Sequence, residues 1–190
     1  DSLIRFVFRS GFIMKPLFEK ARADPKRVIY AEGEDERVLR AAQIILEEQL
    51  ATPILIGRPQ VVAARVERFG LRIRPGRDFE LVNPEEDPRY RDYVDDYFTL
   101  VGRSGVTPEA ARTAVRTNNT VIGALAVRRG EADALICGLD GRFERHLRDV
   151  RQIVGKADRV RALSTLSLLI ARSGAVFLTD THVSVDPSAE

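Results

Sequence analysis

Arg27-Val28-Ile29-Tyr30-Ala31-Glu32-Gly33-Glu34-Asp35-Glu36-Arg37-Val38-Leu39-Arg40-Ala41-Ala42 decides how the rest of the sequence is read. Val28 to Ala31 is a short apolar run rich in β-forming residues. After a turn made of acids and one glycine, Val38, Leu39, Ala42, Ile45 and Leu46 recur at the i, i+3/i+4, i+7/i+8 spacing of an amphipathic helix. A strand that passes through a glycine turn into a helix is one β-α step. Asp35 and Glu36 stand where an N-cap and an acidic first turn would stabilise the helix start.

The same step recurs downstream. Pro53 to Gly57 repeats the strand signal, Val61, Val62, Val66 and Phe69 give the next helical face, and Gly70 is placed to end it. Phe79 to Val82 is a weaker strand. Tyr90 to Val101 is a helix with Tyr93, Val94, Tyr97, Phe98 and Val101 along one stripe, an aromatic pattern read as packing and not as a base-stacking platform. Thr107-Pro108-Glu109 opens another helix through an N-cap and a helix-compatible proline, and Asn118-Asn119-Thr120 starts the next, ending near Gly130. Ala134 to Gly138 is expected as a buried strand, followed by a helix marked by Phe143, Leu147, Val150 and Ile153.

Strands alternating with helices predict an α/β fold with a mainly parallel sheet flanked by helices. The tail departs from that rhythm. Residues 162–170 and 175–179 are strand-like runs joined by Arg172-Ser173-Gly174, the pattern of a hairpin that begins a second lobe. Residues 14–23 read as a short helix. The expected organisation is a linker over 1–13, a first α/β lobe over 14–161, and the hairpin with the start of a second lobe over 162–190. An Asp1-Ser2 opening and an unfinished helix start at Asp186-Pro187 add the expectation of a truncated chain.

Composition excludes several classes. Of 190 residues, 44% are apolar and 31% charged, with 30 Lys and Arg against 28 Asp and Glu, so no single-signed field marks a nucleic-acid or membrane binder. The single Cys137 excludes an internal disulfide framework and fits a reducing compartment, so a cytoplasmic location is expected. The longest apolar stretch, residues 162–180, is interrupted by Arg172 and several small polar residues and is too broken to span a bilayer. No signal-peptide pattern is present.

Ligands of open α/β sheets bind beyond the carboxyl ends of the strands, so the loops after Ala31, Ile56, Val82 and Cys137 are the ones to inspect. The first, Glu32-Gly33-Glu34-Asp35, lacks phosphate-loop spacing, and its carboxylates would repel a pyrophosphate. It either caps the following helix or forms the rim of a cleft. The last, Gly138-Leu139-Asp140-Gly141-Arg142 through Arg148, combines glycines that let a backbone approach a ligand with guanidiniums suited to phosphate. Gly138, Gly141, Arg142 and Arg148 are thus an anion site or, alternatively, a solvated basic face paired with Glu144 and Asp149. His146 and His182, the only histidines, have no metal-ligand spacing, so no metal site is expected, and His146 reads as a surface or capping group. Cys137 reads as core packing.

The ordered segments Met14-Lys15-Pro16-Leu17-Phe18, Arg27 to Ala42, Gly130 to Gly138 and Asp180-Thr181-His182-Val183 resemble the phosphate acetyltransferase family, and more narrowly the copy of that domain fused behind malic enzyme in bacteria. The resemblance implies an isocitrate dehydrogenase or phosphotransacetylase type of α/β architecture. In the fused enzymes it implies a homo-oligomerising domain with acetyl-CoA as a small-molecule allosteric effector. NADP and Mg2+ or Mn2+ would then belong to an upstream domain. Departures from the family pattern bear on activity. Val101 falls where transacetylases carry an arginine on the phosphate side, with Arg103 two residues away. Arg148 matches a second family arginine, but Asp149 replaces the following proline and Arg142-Phe143-Glu144 replaces a threonine-rich loop. The family's remaining active-site positions would fall beyond Glu190. The resemblance therefore implies a regulatory and oligomerisation domain of an NADP-dependent malic enzyme, which converts malate to pyruvate and CO2. This region would bind acetyl-CoA through Gly138, Gly141, Arg142 and Arg148, have Glu32, Gly33, Glu34 and Asp35 on the cleft rim, and carry no catalytic residue. A working phosphate acetyltransferase and a purely structural dimerisation domain are the alternatives.

Overall fold

Four short strands, β1 (Lys26–Tyr30), β2 (Ala51–Ile56), β3 (Glu80–Val82) and β4 (Ala134–Ile136), pair in the order β3-β2-β1-β4, every pair parallel. The computed structural model describes residues 2–160, 162–171, 174–181 and 183, with side chains from residue 11 onward. His182 and the Asp186-Pro187 segment lie outside the described residues. The chain divides into two compact units, residues 21–155 and residues 1–20 with 156–190.

In the larger unit the period of two along each strand distributes the core over both faces of the sheet. Ile29, Ile54, Ile56 and Val82 face a cluster with Tyr93, Val115 and Leu125. These come from α4 (Tyr90–Val101), α5 (Pro108–Thr117) and α6 (Asn119–Arg128), and α7 (Phe143–Ile153) adds Ile153. Tyr30, Leu55 and Phe79 face the other way, against Leu39 and Ala42 of α2 (Glu36–Glu47) and Val62 and Val66 of α3 (Pro59–Arg68). Each such fully buried side chain stabilises the fold by about 1.5–3 kcal/mol relative to exposure. Helix starts follow the sequence signals. Asp35 accepts from the Arg37 amide at 2.8 Å, Thr107 from Ala110 at 3.2 Å and Asn118 from Thr120 at 3.1 Å. Gly70 and Gly130 take positive φ just past α3 and α6.

Two expectations need correction. The strand after Gly130 is not buried: among the described residues β4 is an edge strand with β1 as its one neighbour, and Ile136 is 51% exposed. An apolar run does not distinguish a central strand from an edge strand. The helix expected from residue 14 begins at Ser2 and continues to Ala23 as α1, with Pro16 inside it, so residues 2–13 of the expected linker are helical.

In the smaller unit, β5 (Leu166–Ala171) and β6 (Gly174–Thr179) form the expected antiparallel hairpin, with Leu168 opposite Phe177 and Leu169 opposite Val176. Both of its faces carry exposed apolar side chains, Phe177 at 63%.

At the amino-terminal edge of the parallel sheet the charges close on one another. The Tyr93 hydroxyl donates to Glu131 Oε2 at 2.5 Å, and Arg89 and Arg129 reach the same carboxylate at 3.3 and 2.6 Å. Arg89 also binds Asp87 and Glu80, and Arg129 binds Asp96 and Asp92. Both guanidiniums lie over the Tyr93 ring. Burial, reinforced by Glu131, pushes the Tyr93 phenol well above its ordinary range. Arg27 binds Asp133 at 2.8 Å and holds that carboxyl down at about 2.

Candidate functional site

The carboxyl ends of β1, β2 and β3 open onto a crevice of about 680 Å³. Glu34 and Arg58 line it from the first two loops, Pro84 to Glu86 from the third, and Arg116, Thr117 and Asn119 from the junction of α5 and α6. Gly33 makes this edge possible. Its amide donates to the Ile56 carbonyl at 3.1 Å, and a Cβ there would stand 2.6 Å from that oxygen, so only glycine lets the acidic turn lie on β2. Glu34 then receives the Arg58 guanidinium on both oxygens at 2.9 Å and the Arg58 amide at 2.9 Å. Arg58 holds the Glu34 carboxyl below its ordinary range against the opposing effect of burial. Arg65 donates to the Glu34 carbonyl. Across the crevice, Asn119 donates to the Ala31 carbonyl at 2.8 Å, fixing the start of α6 against the end of β1.

The loop after β4 is built by carboxylates and one imidazole. Gly138 and Gly141 take φ of +96° and +94°, where side chains are disfavoured. The Gly138 amide donates to Glu32 Oε1 at 2.9 Å, and the Gly141 amide to Asp140 Oδ1 at 2.9 Å. His146 reaches back from α7 to bridge the Asp140 carbonyl, 2.7 Å from Nε2, and the Thr120 hydroxyl, 2.8 Å from Nδ1. A carbonyl only accepts, so Nε2 carries the proton and, in the neutral ring, Nδ1 accepts from Thr120. His146 is therefore an anchor for the loop. Burial, and then the charge of Glu32, raise the Cys137 thiol above its ordinary range, which keeps it protonated and unreactive at neutral pH.

Glu32 joins the rim turn to the Gly138 turn, and Glu34 faces the crevice. Asp35 is the cap of α2, and Arg37 holds its carboxyl below the ordinary range. Arg142 precedes α7 and is exposed. Arg148 is exposed on α7, its Nε 3.8 Å from Asp149 Oδ1. Neither lines the crevice. Asp149 itself is buried and receives Asn118 Nδ2 at 2.7 Å. Val101 is 3% exposed within the core, and Arg103 lies in a 3-10 turn, Gly102–Ser104. Arg58 escaped the sequence reading, and Asn119 and Thr120 were read only as a helix start. Their signals were a Gly57-Arg58-Pro59 helix entry and an Asn-Asn-Thr run ahead of a wholly apolar helix. Among the described residues no group of three His, Cys, Asp or Glu side chains could hold a metal ion, and no helix is long and apolar enough to cross a membrane.

A parallel sheet flanked by helices, followed in the chain by an antiparallel hairpin, is the fold shared with phosphotransacetylase structures. The EutD phosphotransacetylase from Staphylococcus aureus superposes with a TM-score of 0.75 over 94% of this chain and 52% of that one, at 23% identity. A phosphotransacetylase from Streptococcus pyogenes gives 0.70 over 82% and 47%, at 24% identity. Residues 12–190 match the phosphate acetyl/butaryl transferase family, and the chain belongs to it. Within that family its similarity is to the C-terminal part of malic enzymes. It is 72% identical, over its whole length, to the NAD-dependent malic enzyme of Rhizobium meliloti (strain 1021), and 46% identical to the NADP-dependent malic enzyme of Escherichia coli (strain K12). It is 28% identical over 94% of its length to the phosphate acetyltransferase of Thermoanaerobacterium thermosaccharolyticum. The chain spans 25% of the length of those malic enzymes and 54% of that acetyltransferase.

Proposed function

We propose that this region is the regulatory and assembly domain of a cytoplasmic malic enzyme that oxidatively decarboxylates malate to pyruvate and CO2. It binds acetyl-CoA as an effector through Gly138, Gly141, Arg142 and Arg148 and performs no acyl transfer itself. The nicotinamide dinucleotide and the divalent cation belong to the rest of the protein. Relatives named for NAD and for NADP share this region, so its sequence is compatible with either cofactor elsewhere.

One observation carries the non-catalytic reading: Val101 occupies, deep in the core, the position at which the family resemblance expects a phosphate-side arginine. Acyl transfer between CoA and acetyl phosphate needs a cation where charge develops, and a buried valine supplies none. The working-transacetylase reading draws its own support from membership of a family described by that activity. Titrating acetyl-CoA against malate oxidation by the intact enzyme tests the proposal. Replacing Arg142 and Arg148 together with alanine should raise the half-effective acetyl-CoA concentration at least about ten-fold, the effect of losing charge-assisted hydrogen bonds. An unchanged response refutes the assigned site, and acetyl phosphate production by the intact protein refutes the non-catalytic reading.

A further inference from the structure

A second cavity, of about 500 Å³, lies along α4 and α5 and includes none of the residues of the Gly138 turn. Its apolar floor comes from the aromatic stripe of α4. Tyr93, Val94, Tyr97 and Val101 of that stripe are buried, whereas Phe98 is 38% exposed. The Phe98 ring lies over Gly102, where a Cβ would come within 3.1 Å of it, and Phe98 lines the cavity as a partly exposed aromatic side chain. Tyr90 also lines the cavity. Its hydroxyl donates to the Arg112 carbonyl at 2.9 Å, and its ring lies under the Arg116 guanidinium at 5.3 Å.

The walls bring three guanidiniums, Arg91, Arg112 and Arg116, against one carboxylate, Asp95. These arginines differ from the tightly paired ones of this unit. Arg27, Arg58, Arg89 and Arg129 are each locked to carboxylates by short hydrogen bonds. Arg91 has no ion-pair partner among the described residues, and Arg116 has only the Tyr90 ring. Arg112 has one i,i+3 contact with Glu109 at 3.4 Å, both side chains largely exposed, an arrangement that contributes little. Weakly paired guanidiniums beside a partly exposed ring suit a ligand that is planar at one end and polyanionic at the other. The volume falls within the range of about 300–1,000 Å³ typical of small-molecule sites.

We propose that this groove binds a nucleoside diphosphate group, the base against Phe98 and the phosphates on Arg91, Arg112 and Arg116, either as a free nucleotide or as the end of a larger cofactor. An acidic peptide would need cationic surface beyond one short groove, whereas a diphosphate concentrates its charge within reach of the three side chains. The inference does not rest on the acetyl-CoA site assigned above, with which it shares no residue.

Isothermal titration of the intact protein with ADP, adenosine, inorganic phosphate and CoA tests it. ADP should bind more tightly than adenosine or phosphate alone. Arg91→Ala combined with Arg112→Ala, both exposed and so neutral for folding, should weaken ADP at least about ten-fold. Phe98→Leu, which keeps an apolar side chain but removes the ring, should weaken it about five-fold or more through lost stacking. Displacement of ADP by CoA would identify the ligand as a cofactor end, and ADP binding that CoA does not displace would identify a free nucleotide. No ADP binding by the wild type, or unchanged affinity in the double arginine variant, overturns the inference. Phosphate binding as tightly as ADP, with Phe98→Leu silent, overturns the role of the ring.

Discussion

The two edges of the parallel sheet are closed by different means. At the amino-terminal edge, side chains close on side chains: Arg89 and Arg129 converge on Glu131, which also takes the hydroxyl of the buried Tyr93. At the carboxyl edge, besides the Glu34–Arg58 ion pair and the His146–Thr120 bond, side chains also close on backbone. Glu32 takes the Gly138 amide, Glu34 the Arg58 amide, Asn119 holds the Ala31 carbonyl and His146 the Asp140 carbonyl. Charge clusters dominate the first edge, although Arg27 also reaches the Gly130 and Glu131 carbonyls, whereas the second adds several holds on the main chain. A site that must present loops in a defined shape is built on the second kind.

That contrast breaks most visibly if volume is added at the carboxyl edge. Gly33→Ala puts a methyl group against the backbone of Ile56, which cannot move aside as a side chain would. The expected cost is about 3 kcal/mol, seen as a lowered urea midpoint. At the other edge a change without added volume should matter. Tyr93→Phe removes only an oxygen, yet takes a donor from Glu131, and should cost about 1–2 kcal/mol by the same measurement. Thr120→Val tests whether His146 acts through the loop. Stability should fall by about 1 kcal/mol, while the Gly138 and Gly141 amides lose hydrogen-exchange protection out of proportion to that change.

The smallest effect concerns pH. Asp133 lies below its unfolded value of 3.8, at about 2, because it is paired with Arg27. A depressed carboxyl contributes stability above the unfolded value, and that contribution is lost as pH falls from 3.8 toward 2. Asp133→Asn should therefore lose less stability than wild type over that window. Equal acid sensitivity of the two proteins would show that the amino-terminal edge is not held by this charge pair.

Much of the architecture could be read before any coordinates, because it is written in local patterns. The alternation of β-rich runs with helical stripes, the caps at Asp35, Thr107 and Asn118, and the hairpin each need only a few neighbouring residues. Sheet order is a long-range property, so the edge position of β4 was not legible in Ala134 to Ile136. The start of α1 at Ser2, ahead of the expected residue 14, was not legible because local propensity is a weak prior. Glu34 was expected on a cleft rim together with Glu32, Gly33 and Asp35. Its partner Arg58 is 24 residues away, and nothing in a Gly-Arg-Pro sequence says which carboxylate the arginine will meet. The tie between His146 and Thr120 spans 26 residues and escaped for the same reason.

The hydrogen bond from Gly138 to Glu32 sets the terms on which an anion can occupy that turn. The amide already holds a negatively charged oxygen, so an incoming phosphate or carboxylate would swap one acceptor for another, and its net gain there would be the difference between two similar bonds. Such an exchange yields less than the roughly 1.5–3 kcal/mol of a new bond to a charged group. Tight binding at this turn would have to draw its energy from cations outside the turn or from apolar parts of the ligand.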